Sequence, residues 1–70
     1  MAIEFVAQRL VIGDVVLISL PEQEGEVEAM VVRDIDRTET AVRVTLRVEG
    51  HDDFVREWQI GDRVTVARGP

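Results

Sequence analysis

The sequence contains no cysteine, lysine, asparagine or tyrosine, a single histidine (His51), a single serine (Ser19) and two prolines. Each shortage removes a class of explanation. Without cysteine there is no disulfide and no thiolate metal site. With His51 alone, a zinc site would take nearly all its ligands from carboxylates, so neither a metal nor any other cofactor is expected. Ser19 lies inside a predicted strand, and His51 stands far along the chain with no orienting group in pattern. The sequence therefore offers no nucleophile, base and orienter that would converge. It reads as non-enzymatic, with no catalytic residue to name. No apolar run approaches the ~18 residues of a membrane span. The opening MAIEFVAQR carries Glu4 and lacks the apolar stretch of a signal peptide. A soluble, cytoplasmic chain without a membrane partner is the expectation.

What is present fits one small domain over residues 1–70. A domain of this size buries only ~60% of the surface its unfolded chain exposes. With no covalent or metal staple, dense packing, oligomerisation or attachment to a partner must supply the rest. Hydrophobic residues make up 46% of the chain, too many for disorder. Thirteen of them are valine, whose branched side chain is stiff in a helix and packs well on a pleated surface. All eight basic residues are arginine; with abundant valine, alanine and glycine, this suggests a small bacterial protein of high-GC origin. The net charge of −6 disfavours a general nucleic-acid binder, whose affinity rests on cations against phosphates.

Ala41–Glu49 alternates strictly, with Val42, Val44, Leu46 and Val48 on one face and Arg43, Thr45, Arg47 and Glu49 on the other. Glu26–Ile35 alternates too, with Val27, Ala29, Val31 and Ile35 on one face until Arg33 breaks the pattern. Its second face is also partly apolar, as in a central or bent strand. Asp36–Thr40 joins the two as a loop of about five residues. Asp14–Leu20 is a continuous apolar run of the kind buried on both faces, and Pro21–Gly25 is a polar turn. Gly50–Asp53 is a second turn, followed by strands over Phe54–Gln59 and Arg63–Arg68. Residues 1–9 hold either an edge strand through Ile3, Phe5 and Ala7 or a short helical lead-in running to Leu10. Short strands with turns every ~8–12 residues indicate a small barrel or sandwich, and at this length a barrel, because closure removes open edges.

Ile12-Gly13-Asp14-Val15-Val16 recurs as Ile60-Gly61-Asp62-Arg63-Val64. In each, a bulky residue anchors a turn, glycine takes positive φ, aspartate bonds the local backbone, and a strand begins with its valine facing in. Both copies read as strand-opening turns. This opening Gly-Asp, the valine-rich three-strand meander and the closing Gly-Asp-x-Val-x-Val resemble the small SH3-like barrels of KOW, Tudor and TOBE type, over Leu10 to Arg68. The resemblance implies an all-β, antiparallel five-stranded barrel, with a sixth strand allowed at the N-terminus, and implies nothing about function. The Tudor aromatic cage and the basic KOW surface have no counterpart here.

Four clusters invite a functional reading. Glu49, His51, Asp52 and Asp53 are sequence neighbours in a turn and read as a solvated tip rather than a metal site. Glu22, Glu24, Glu26 and Glu28 form an acidic stripe that guards an edge or docks a basic partner. Arg43, Thr45 and Arg47 share an outward face, with Arg56 expected nearby. They form a positive stripe for an anion unless Glu28, Glu49 or Glu57 neutralises it. Phe54, Arg56 and Trp58 share one face of one strand, which places a cation among aromatics. Either Arg56 is paired or at a barrel mouth, or a bulge re-aims it, or the aromatics are partly exposed and mark a binding hot spot. The leading expectation is a protein-binding or self-associating module using Arg43, Arg47, Phe54, Arg56 and Trp58. Nucleic-acid or anion binding through the arginine stripe, or a structural subunit of a ring or phage particle, are the alternatives.

Overall fold

A computed structural model describes residues 2–67, with the backbone alone for Ala2 and Ile35. Its chain forms β1 (Ala2–Val6), a 3-10 helix (Ala7–Arg9), β2 (Val15–Ser19), β3 (Glu26–Arg37), β4 (Ala41–Arg47), β5 (Phe54–Gln59) and β6 (Arg63–Ala67). All six strands belong to one antiparallel sheet in the order β1-β6-β2-β3-β4-β5. No helix among the described residues is long and apolar enough to cross a membrane.

The meander expected from sequence holds for β2 to β5 only. The chain then passes to β6, which pairs with β2 on one side and β1 on the other. The Gln59–Asp62 turn between β5 and β6 is closed by an Asp62 N–H donating to the Gln59 carbonyl at 3.0 Å. Two strands far apart in the sheet order are thus joined by a single tight turn, which requires the sheet to curl on itself. The expected barrel is nevertheless not closed. β1 and β5 stand at the two ends of the order and exchange no ladder. The valine pattern specifies a curved sheet with one buried face but not which strands meet at its ends: β1 pairs with β6, and β5 is left at the other end of the order.

The concave face holds the core: Leu10, Val16, Val31, Val42, Val44, Leu46 and Val66 are almost wholly buried, with Ala7 and Ala29 between them. β4 buries Val42, Val44 and Leu46 and exposes Arg43 and Arg47, as its alternation requires. β2 buries Val16 and Ile18 fully but Val15 and Leu17 only half, so its second face is sheltered rather than buried. β3 is central and bent. Its register against β4 shifts between Val31 and Arg33 and again between Asp34 and Asp36, two bulges that re-aim its side chains. That is why Arg33 breaks the alternation. The expected core position of Ile35 lies outside the described side chains. β3 also runs on to Arg37, so the loop is Thr38–Thr40, where the Thr38 hydroxyl accepts the N–H groups of Thr40 and Ala41. The β4 strand stops at Arg47, before the expected Glu49, though Val48 remains in the core. The last strand ends at Ala67; its expected last residue, Arg68, lies outside the described residues.

Both readings of the N-terminus are realised in succession, strand and then helical turn. The 3-10 helix covers one end of the curled sheet, with Ala7 and Leu10 fully buried. Arg37, at the end of β3, holds it there by donating to the carbonyls of Gln8 and Leu10 while its Nε donates to Asp34 at 3.0 Å.

The repeated Gly-Asp turns adopt one geometry twice. Gly13 and Gly61 have φ of 100° and 93°, which any side chain would strain. Asp14 Oδ2 accepts the N–H of Val11 at 3.0 Å, and Asp62 Oδ2 accepts that of Gln59 at 2.9 Å. Val16 and Val64 then face the core. One part of the expectation is corrected. Ile12 and Ile60 are exposed (62% and 37%), so the aspartate closes each turn and no isoleucine anchors it.

A candidate interaction edge

β5 forms one edge of the sheet, and its side chains divide cleanly. Val55, Glu57 and Gln59 point outward and are exposed; Phe54, Arg56 and Trp58 point to the core face and are half-buried. Register explains the inward set, since Phe54 lies opposite Leu46, Arg56 opposite Val44 and Trp58 opposite Val42, with no bulge along the pairing. Phe54 and Trp58 pack against the core without being enclosed by it. Arg56 therefore sits on the apolar face at the open side of the sheet. Its guanidinium carbon is 5.8 Å from the centroid of the Trp58 ring, close enough for a cation–π attraction. Among the described residues it forms no ion pair.

The backbone of β5 alternates as well. Ile60 N–H donates to Thr40 on the β4 side at 2.8 Å, whereas Gln59 N–H turns away from β4 to Asp62. Continuing that alternation, Phe54, Arg56 and Trp58 use their backbone groups on β4, while Val55 and Glu57 direct theirs to the open edge. Asp62 occupies both backbone groups of Gln59 and so ends the open stretch at that residue.

The arginine stripe is not assembled as expected. Arg43 and Arg47 share the outer face of β4, but Arg56 lies on the opposite face of the sheet. Strand alternation forces this, because Arg56 pairs in register with Val44 and not with Arg43 or Thr45. Arg43 faces Glu57 at 3.7 Å, one of the neutralising partners named from sequence. Arg47 forms a two-pronged bond with Asp53, Nε to Oδ1 and Nη2 to Oδ2, each 2.9 Å. That bond holds the Asp53 carboxyl below the usual carboxylate range and raises Arg47. In the same turn His51 is 3.3 Å from the amide of Gln23. Among the described residues no three acidic, histidine or cysteine side chains are placed to hold a metal. Glu22, Glu24, Glu26 and Glu28 are all exposed.

A surface hollow of about 680 Å³ lies over the outer face near Val15, Met30 and Arg47. It is open and apolar in the main, and among the described residues no polar or charged side chain is buried to give it a desolvated reactive group. Sequence reasoning missed Arg37. The signal was weak: an Asp34–Arg37 spacing of three that runs from an expected strand into an expected loop, with its distant partners both backbone carbonyls. No family model, no curated protein and no solved structure matches the chain.

Proposed function

We propose that the curled sheet is an opened SH3-like barrel and that the protein is a non-enzymatic interaction module whose β5 edge takes an extended segment of another chain. The observation that carries this reading is the end position of β5 in the sheet order, with Phe54 and Trp58 half-buried beside it. An uncovered edge is a template for a further strand. Main-chain bonds give such a contact its affinity and the side-chain hollows along it give specificity. Aromatic and arginine side chains at the margin of a core are the residue types that dominate interface energetics. The anion-binding alternative has less support, because Arg43 and Arg47 would first have to leave Glu57 and Asp53.

The reading is tested by nuclear magnetic resonance mapping of peptides selected from a library of extended sequences. Edge binding shifts the Trp58 indole and slows exchange of the Val55 and Glu57 amides. Binders that instead shift Arg43 and Arg47 side chains and lose affinity steeply with salt would replace it with the anion reading.

A further inference from the structure

Resting on that reading, we infer that the occupant of the β5 edge is a strand from a different protein that places an acidic residue opposite Arg56, with apolar residues two positions to either side. A second copy of this chain pairs poorly through the same edge. Among the described residues of this edge, Val55 and Glu57 are the two whose backbone groups point away from β4 without a partner, so an antiparallel β5–β5 contact has few registers. Centring on Arg56 sets Arg56 against Arg56 of the other copy. Centring on Glu57 sets glutamate against glutamate and needs the backbone groups of Gln59 that Asp62 holds. Centring on Val55 sets Glu57 against Asp53. Each places like charges directly opposite, where they destabilise a strand pair, and each brings together two chains of charge −6.

A foreign strand meets no such conflict. Its residue opposite Arg56 would lie on the core face, beside a guanidinium with no ion pair among the described residues and partly shielded by the Trp58 ring. The planar fork of arginine matches a carboxylate with two parallel bonds, and the sheltered site strengthens them. The residues two places away on the same face lie over Phe54 and Trp58, which are half-buried and apolar. The required pattern is apolar–x–acidic–x–apolar, with no demand on the alternate positions beyond tolerance of Glu57.

The experiment uses two synthetic peptides of alternating valine and threonine, one with a central glutamate and one with a central lysine, titrated into the full chain with Trp58 fluorescence as readout. The glutamate peptide is expected to bind on the order of tenfold more tightly. Arg56→Glu should invert the preference, and Arg56→Gln, which keeps most of the side-chain bulk, should erase it. Val55→Pro should abolish binding of both. Equal binding of the two peptides, still lost in Val55→Pro, overturns the acidic preference and leaves edge pairing standing. No binding by either peptide at millimolar concentration overturns both. A concentration-dependent oligomer with protected Val55 and Glu57 amides would assign the edge to a second copy instead.

Discussion

Proline scanning along β5 probes the direction of each backbone N–H, and so separates an open edge from a paired strand. Arg56 N–H points to β4, where Val44, its register partner, is fully buried. Arg56→Pro removes that donor and leaves the Val44 carbonyl without a partner in the core, at about 1–3 kcal/mol. It also removes the arginine from the Trp58 ring, roughly 0.5–1 kcal/mol at a half-exposed site. The sum is about 1.5–4 kcal/mol. Val55 N–H points to the open edge, and the Val55 side chain is 48% exposed. Val55→Pro therefore loses no ladder bond, and a proline is tolerated on an edge strand when its missing N–H faced solvent. Its expected cost is within about 1 kcal/mol. For a domain of this size each kcal/mol moves Tm by about 4–8 °C. Thermal melts followed by circular dichroism should then show Arg56→Pro down by at least about 6 °C and Val55→Pro by less. Equal losses, or a larger loss for Val55→Pro, would mean that Val55 N–H is already bonded and that β5 is not an open edge.

Further expectations follow from other contacts. Arg37→Leu should cost about 1–3 kcal/mol in urea unfolding, because it leaves the part-buried Leu10 carbonyl unpaired; a change under 0.5 kcal/mol would remove the clamp assigned to Arg37. Asp62→Ala and Asp14→Ala should each cost about 1 kcal/mol, the net worth of one hydrogen bond, and by similar amounts, since the two turns share one geometry. Leu46→Ala should cost about 2–5 kcal/mol through transfer and cavity terms. Asp53 has a lowered folded pKa from its Arg47 hydrogen bonds. Its contribution is therefore present above the unfolded value and is lost as pH falls through the folded one. Carboxyl carbon titration should give Asp53 a midpoint below that of the Arg47→Met variant; identical midpoints would dissolve the pair.

Strand β5 was legible to the residue because turn residues bound it and no bulge disturbs it. β4 was legible in its faces because Val42, Val44 and Leu46 alternate with polar neighbours. The face conflict at Phe54, Arg56 and Trp58 was legible as a conflict, and the half-burial of all three is its resolution. Other features depend on partners that sequence does not display. The bulges of β3 arise from its register with β4, the placement of Arg56 away from Arg43 and Arg47 follows from which residue it opposes, and the open seam depends on two strands at opposite ends of the sheet order. The exposure of Ile12 and Ile60 has a local reason: once aspartate closes the turn, a bulky anchor is unnecessary.

The central claim is that β5 presents free backbone groups at Val55 and Glu57, and amide hydrogen exchange of the free protein measures this residue by residue. In the monomer, Arg56 and Trp58 amides should exchange slowly, near the rate set by global opening, while Val55 and Glu57 amides exchange close to the unprotected rate. Protection of all four amides in a verified monomer would contradict the account and place β5 inside a closed sheet.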